Sequence, residues 1–267
     1  MPPTLSSGWT QCFPPSARVH REDVPDLDGK VANLRVPRHS VNYRPVTSIF
    51  GDLRLIKAST ERFLAAETKL NAVFNNAGCI AADDKNMEKT VQGYEKQLDK
   101  GTWENEVGVI FASSSAAEMY HERRVCVDME NLDYHRSKSS IHRYGLSKVG
   151  AWAYGVEFSK RFKGSGVLGE PVNPGNLRSD LFSQQSFLFR LQVALMHYPA
   201  VNGACAELFA GLSPKVTSDK AGYVFTFGRF HPTRKDLQLA ARPETEGGAD
   251  LTRKLWEWSE KQVETFI

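Results

Sequence analysis

A short apolar run stops abruptly on small polar residues in the stretch Ala72-Val73-Phe74-Asn75-Asn76-Ala77-Gly78. The same pattern recurs in residues 107–112, Val-Gly-Val-Ile-Phe-Ala, which are followed by the three serines at 113–115. It recurs a third time in residues 167–172, which end on Asn-Pro-Gly at 173–175. Apolar runs of this length predict parallel strands that are buried on both faces, with their carboxyl ends at a common crevice.

Helical spacing fills the stretches between these strands. Apolar residues return every three to four positions in a helix that begins at Asp52, in a second helix over 140–162 and in a third around 204–212. A terminal helix is expected from about Asp250, and a further strand over 223–227. Strands that alternate with helices in this way predict an α/β fold, in which helices cover both faces of a sheet.

The composition fits one globular domain and argues against several functional classes. The 267 residues are 41% hydrophobic and 24% charged, and we predict an extended arm over 1–30 followed by a single domain over 31–267. The net charge of +3 comes without a long basic run, so no nucleic acid partner is expected. Neither the start of the chain nor the apolar stretch 187–196 has the pattern of a signal peptide or a membrane span. Scattered cysteines and unpaired histidines predict a cytoplasmic protein without a metal site.

The strongest chemical signal lies within the second predicted helix, at Tyr144 and Lys148. Residues four apart lie one above the other on a helix, so the phenol and the ammonium share a face. A cation held beside the ring stabilises phenolate over phenol, which lets the tyrosine exchange a proton with a substrate oxygen near neutral pH. A solvated helix face would show the same pair, so the motifs around it decide its meaning.

Four motifs in this order resemble the short-chain dehydrogenase/reductase family. They are Asn75-Asn-Ala-Gly78, Ser113-Ser-Ser115, Tyr144-Gly-Leu-Ser-Lys148 and Asn173-Pro-Gly-Asn-Leu-Arg-Ser179. The tail resembles the retinol-dehydrogenase-like branch found in many filamentous fungi, in the segments 202–214, 228–230 and 255–258. The resemblance implies a Rossmann-like doubly wound parallel sheet. It also implies an NAD(P)(H)-dependent oxidoreductase, of a kind often found in secondary-metabolite pathways.

The resemblance assigns roles to individual residues. It implies that Tyr144 is the general acid and base, and that Lys148 eases this proton transfer and holds the nicotinamide ribose. Ser114 is the best match for the serine that binds the substrate oxygen, although Ser113 or Ser115 could take that role. Cofactor binding is implied for the motif asparagine, the tyrosine, the lysine and the turn after the third strand, namely Asn76, Tyr144, Lys148, Gly175, Leu177 and Ser179.

The resemblance leaves the cofactor and substrate partly open. The branch favours NADP(H), with NAD(H) as the alternative, and the substrate is expected to be an apolar small molecule whose carbonyl is interconverted with a secondary alcohol. A homo-oligomer is compatible with the sequence. The amphipathic stretch 181–198 follows the cofactor turn, where the family has a mobile segment over the substrate. A lid and a plain core helix are equally open interpretations, and contact with a membrane surface is a third.

The chain departs from the family pattern at two places. After Gly29-Lys30-Val31 the family continues into a glycine-rich turn that holds the cofactor pyrophosphate at a helix amino terminus, yet no glycine occurs between Gly29 and Gly51. The family also has a long helix before the serine strand, where only the 13 residues 94–106 are available. We therefore expect a sheet that is truncated in its first βαβ units.

These losses leave two hypotheses about function. The intact set of Tyr144, Lys148, Asn76 and Ser114 favours a working oxidoreductase. The missing phosphate turn favours a redox-inactive relative, a pseudoenzyme that acts as a binding or scaffolding module. Whole segments are missing while the remaining motifs match the family, which also fits a wrongly joined gene model or a splice variant.

Overall fold

The computed structural model describes residues 32–33, 52–66, 72–76, 78, 89–93, 108–122, 125–179, 191, 197–217 and 222–266. The predicted arm over 1–30 and the position of the expected phosphate turn after Val31 lie outside these residues. So do most of the stretch 181–198 and the short connection 94–106. The expectations for these segments therefore stay predictions.

The described strands form one sheet and follow each other across it in chain order. They are β1 Ala32–Asn33, β2 Ala72–Asn75, β3 Gly108–Ala112, β4 Leu168–Val172, β5 Tyr223–Phe225 and β6 Arg229–His231. Strands β1 to β5 are parallel, and β6 pairs with β5 in the antiparallel sense. A complete doubly wound sheet reverses its strand order, whereas the described strands run across the sheet in one direction. The Rossmann-like α/β fold predicted from the sequence is confirmed in this truncated form.

The predicted strand over 223–227 ends earlier than expected. Phe227 and Gly228 both have positive φ angles, 66° and 68°, which bend the chain back on itself. Strand β5 therefore stops at Phe225, and β6 returns beside it as the edge of the sheet.

Helices cover both faces of the sheet. Their bounds are α1 Leu53–Ala66, α2 Ala116–Met119, α3 Ser140–Arg161, α4 Ala200–Leu212, α5 Lys235–Ala241 and α6 Leu251–Val263, with 3-10 turns at Met129–Asn131, Glu244–Glu246 and Glu264–Phe266. Helix α1 begins where the sequence predicts, since the Asp52 carboxylate accepts the Arg54 N–H at 3.1 Å as an amino-terminal cap. Helices α3 and α6 pack on one face, and α4 packs on the other.

Alternate strand residues build two separate cores, because successive side chains of a strand point to opposite faces. Val73, Val109 and Phe111 face α3 and α6, in an aromatic core that includes the fully buried Trp152. The intervening positions face α4, in a smaller core made with Cys205, Phe209 and Ala210. The larger core anchors α3, which carries Tyr144 and Lys148, beside β3 and β4.

The described part of the chain contains no helix that is both long enough and apolar enough to cross a membrane.

Candidate active site

Lys148 lies where two strand ends and helix α3 meet. Its side chain is buried, and its Nζ donates a hydrogen bond of 2.8 Å to the carbonyl of Ala112, the last residue of β3. A Cβ placed on Gly78 would lie 3.7 Å from the same nitrogen, so the turn after β2 also reaches this point. The ammonium is 5.5 Å from the centre of the Tyr144 ring. The predicted tyrosine and lysine therefore share one place at the carboxyl edge of the sheet, the edge at which the parallel strands end.

Tyr144 is buried against the segment that follows the serine turn. Its ring packs on Ala116, with Tyr120 and Ile141 around it. A Cβ on the next residue, Gly145, would lie only 2.3 Å from the Tyr120 Cβ, so α2 could not approach α3 this closely if residue 145 were larger. This glycine therefore helps to bring the serine turn to the tyrosine.

The three serines of that turn have different surroundings. Ser113 is 2% exposed, donates through Oγ to the Lys148 carbonyl at 2.8 Å and accepts from the Tyr223 hydroxyl at 3.0 Å. Ser114 is half-buried and accepts the Ala116 N–H through its Oγ at 3.2 Å, which leaves its own O–H hydrogen without an acceptor among the described residues. Ser115 precedes α2 and makes no capping bond with its side chain. Since the Ser113 hydroxyl is already used in both directions, the geometry favours Ser114 over Ser113 for binding a substrate oxygen.

Sequence reasoning missed Tyr223, which reaches the same turn from strand β5. Its single hydroxyl hydrogen is shared between Ser113 Oγ and the Ser114 carbonyl oxygen, both at 3.0 Å. Burial raises the pKa of the Tyr223 hydroxyl, and the nearby Glu118 and Tyr144 add to this effect. The hydroxyl therefore stays protonated and acts as a donor. Nothing in the local pattern around residue 223 signals this contact, because it joins residues 110 positions apart.

The turn after β4 is held in a shape that requires glycine. Gly175 has a φ of 97°, and a Cβ there would lie 2.5 Å from Thr226 Cγ2. The Asn173 Oδ1 accepts the Gly175 N–H at 3.1 Å, and Leu177 fits against Gly203 of α4. Leu177 is half-buried, whereas the other two predicted cofactor residues, Asn76 and Ser179, are exposed.

Two buried amide nitrogens at the carboxyl edge bear on cofactor binding. Asn75 is the last residue of β2, and Asn173 directly follows β4. The side-chain nitrogen Nδ2 of each has no hydrogen-bond partner among the described residues. A buried donor without a partner is costly, and a nicotinamide ribose or carboxamide offers acceptor oxygens that suit such donors. The residues present therefore fit the nicotinamide end of the cofactor. The place where the pyrophosphate would bind lies outside the described residues.

A buried carboxyl group also lies near the site. Glu207 of α4 is 6% exposed, and burial raises its pKa to about 7, with the charge of Lys148 acting in the opposite direction. Sequence reasoning missed this residue, because Glu207 lies within an otherwise largely apolar helix segment.

A Rossmann-like sheet with a tyrosine, a lysine and a serine turn at its carboxyl edge defines a class, that of the dinucleotide-dependent oxidoreductases. A short-chain dehydrogenase/reductase from Neocamarosporium betae is 31% identical over 327 aligned positions, which cover 98% of this chain and 94% of the relative. Another from Emericella nidulans is 34% identical over 277 positions, covering 94% of this chain and 83% of the relative. The chain belongs to the short-chain dehydrogenase/reductase family, a family of oxidoreductases. No general protein-family model matches it.

The same comparison bears on the expected missing segments. About 262 residues, 98% of this chain, fill the 327 positions aligned with the Neocamarosporium relative, so about 65 positions have no counterpart here. A second relative, from Phomopsis amygdali, is 31% identical and needs 332 positions to align 99% of the chain. The relatives therefore carry internal residues that this chain lacks, in agreement with the sequence prediction. Among solved structures, an uncharacterised protein from Mycobacterium paratuberculosis is 21% identical, with a TM-score of 0.49 over 77% of this chain and 72% of that chain.

Proposed function

We propose that this chain is an NAD(P)(H)-dependent oxidoreductase that interconverts a carbonyl and a secondary alcohol on an apolar small molecule in a fungal secondary-metabolite pathway. The observation that carries the proposal is the meeting of Tyr144, Lys148 and the serine turn at the end of β3. NADP(H) is the favoured cofactor. The cytoplasmic location and the homo-oligomer stay predictions.

The roles of the three side chains follow from their chemistry. A bound nicotinamide would supply or accept a hydride at the substrate carbon. The Ser114 hydroxyl donates a hydrogen bond to the substrate oxygen, and the Tyr144 hydroxyl transfers its proton to that oxygen, so that the C=O π bond becomes one C–H and one O–H bond. The Lys148 ammonium, 5.5 Å from the ring centre, stabilises the negative charge left on Tyr144 until solvent returns a proton.

The residues expected to hold the nicotinamide end are Asn76, Lys148, Gly175, Leu177 and Ser179. At the pyrophosphate end, the chain lacks the glycine-rich turn, and no glycine lies between Gly29 and Gly51. Each lost charge-assisted hydrogen bond is worth roughly 1.5 to 3 kcal/mol, so losing two or three weakens a micromolar site by a factor of hundreds or more. We therefore expect the chain to bind NADPH well above micromolar concentrations.

A titration followed by NADPH fluorescence, extended to millimolar cofactor, tests binding directly. Oxidation of NADPH is then followed at 340 nm with bulky apolar ketones such as decalone. Tyr144→Phe keeps the ring and removes only the proton donor, so it should abolish turnover without changing thermal unfolding. Tyr154→Phe is the matched control, because Tyr154 is equally buried and its hydroxyl bonds Ser259 away from the site. Turnover that survives in Tyr144→Phe would contradict the proposal.

A second candidate function is supported by the residues that are absent. About 65 aligned positions of a relative have no counterpart in this chain, which is about the size of two βαβ units of roughly 30 residues each. A redox-inactive binding or scaffolding protein would give no NADPH signal at millimolar concentration and no oxidation with any ketone. Low-micromolar binding would exclude this candidate and would also contradict the expected loss of affinity.

A further inference from the structure

A chain of hydrogen bonds joins strand β5, the serine turn and helix α3. The Tyr223 hydroxyl shares its one hydrogen between Ser113 Oγ and the Ser114 carbonyl oxygen, both at 3.0 Å. Ser113 Oγ in turn donates to the carbonyl of Lys148 at 2.8 Å. Tyr223 and Ser113 are 1% and 2% exposed, so water does not compete for these groups.

These bonds add to the hydrogen bond from Lys148 Nζ to the Ala112 carbonyl in fixing the serine turn relative to helix α3. Ser114 is followed by α2, whose position against α3 depends on packing at Gly145. Tyr144 and Lys148 move with α3, whereas Ser114 moves with the end of β3. The only links to this turn that come from β5 are the two bonds of the Tyr223 hydroxyl, among the bonds of the described residues.

We infer that Tyr223 is a positioning residue, which acts through Ser113 to hold the Ser114 hydroxyl at a fixed place relative to Tyr144 and Lys148. The role assigned to its hydroxyl requires no contact with substrate or cofactor. Its effect on the reaction rests on the proposed function, but its effect on the order of the turn does not. Ser113 has the matching role of a link, rather than that of the substrate-binding serine.

Three backbone amides report on the order of the turn without any substrate. Ser113 N–H donates to the Val172 carbonyl at 2.7 Å, Ala117 N–H to the Ser114 carbonyl at 3.0 Å, and Ala116 N–H to Ser114 Oγ at 3.2 Å. Hydrogen exchange of these amides is measured on the full chain by mass spectrometry or NMR. The variants are Tyr223→Phe, Ser113→Ala and the double variant.

We expect exchange at these amides to be about threefold to tenfold faster in Tyr223→Phe, the range expected for the loss of one or two hydrogen bonds. Ser113→Ala should give an increase no larger than this, because it removes the link through Ser113 Oγ but leaves the Tyr223 hydrogen bond to the Ser114 carbonyl in place. The double variant should be no faster than the faster single variant, since the residues act in series. Tyr154→Phe, which loses a buried hydroxyl bonded to Ser259, should leave these three amides unchanged.

Turnover provides a second measurement, because a tyrosine with only a structural role would not change kcat separately from the KM for NADPH. In an active preparation, Tyr223→Phe and Ser113→Ala should each lower kcat about tenfold while changing the KM for NADPH less than twofold, and the two losses should not multiply.

Wild-type exchange rates at the three amides in Tyr223→Phe, or additive effects of the two substitutions, would overturn the inference. A wild-type chain that never oxidises NADPH would refute the proposed function instead, and the exchange data would still decide the role of Tyr223. If Tyr223→Phe does not fold, Ser113→Ala decides it alone.

Discussion

Buried carboxyl groups on the two faces of the sheet have different hydrogen-bond and ion-pair partners. On the face covered by α3 and α6, Glu157 is 5% exposed and accepts hydrogen bonds from Arg161 Nε at 3.0 Å and Thr252 Oγ1 at 2.9 Å. On the face covered by α4, Glu170 of β4 is fully buried and accepts only the Gly222 N–H, at 3.2 Å, among the described residues. Glu157 is compensated by a cation, whereas Glu170 has no ion-pair partner among the described residues.

This difference determines which protonation state the folded chain prefers. Burial raises the pKa of Glu170 from 4.5 to about 8, with the Gly222 N–H as a smaller opposing influence. Glu207 lies on the same face, and burial raises its pKa to about 7. The α4 face therefore holds two carboxylic acids that are largely neutral at pH 6, and both lose protons as the solution becomes alkaline.

The largest expected effect is a fall in stability with pH that depends on Glu170. The folded chain keeps a proton on this group that the unfolded chain releases above its ordinary pKa of 4.5, so its stabilisation is complete below pH 4.5 and is lost as pH rises through about 8. The slope is about 1.4 kcal/mol per pH unit, or roughly 5 kcal/mol between pH 4.5 and 8. Glu170→Gln keeps an acceptor for the Gly222 N–H and cannot ionise, so its unfolding free energy should be flatter between pH 5 and 9.

Urea unfolding at each pH, on the wild type and Glu170→Gln, measures this difference. Glu207→Gln is the matched variant on the same face. The loss of stability that depends on Glu207 should end about one pH unit lower than the loss that depends on Glu170. Parallel pH curves for the wild type and Glu170→Gln would show that the buried acid does not control the alkaline loss of stability.

A smaller effect is expected on the opposite face from Glu157→Gln. The substitution removes the charge facing Arg161 and Lys160 while keeping an acceptor for the Thr252 hydroxyl. We expect a loss of about 2 kcal/mol, below the cost of breaking a fully buried ion pair because Arg161 is one-third exposed. A Glu157→Gln variant as stable as the wild type would remove the contrast between the faces.

Local features of the fold could be predicted from the sequence. Apolar runs that stop on polar residues located β2, β3 and β4, and the four-residue spacing placed Tyr144 and Lys148 on one helix face. Both signals lie within a few neighbouring positions. The early end of β5 at Phe225 was missed, because the periodic pattern continues through Phe227 and only the backbone angle there reverses the chain.

Contacts between distant parts of the chain could not be predicted in this way. Tyr223 meets Ser113 across 110 positions, and Gly222 meets Glu170 across 52. These contacts depend on strand order and register, which place Val224 beside Val172 at the end of β4. The sequence match already favoured Ser114, but the hydrogen bonds that occupy Ser113 could not be predicted from a one-dimensional pattern.

The smallest expected effect comes from a carboxylate that lies in solvent rather than in either core. Glu257 of α6 is 44% exposed and pairs with Arg253 Nη1 at 2.9 Å, with Arg161 Nη2 further away at 3.9 Å. Exposed pairs of this kind contribute about 0.2 to 1 kcal/mol, because water and salt screen the charges. Glu257→Gln should therefore lower the free energy of unfolding by less than about 0.5 kcal/mol, and 1 M NaCl should remove even that difference. A loss as large as that of Glu157→Gln would mean that burial does not set the order of these three acids, and the contrast between the two faces would need another cause.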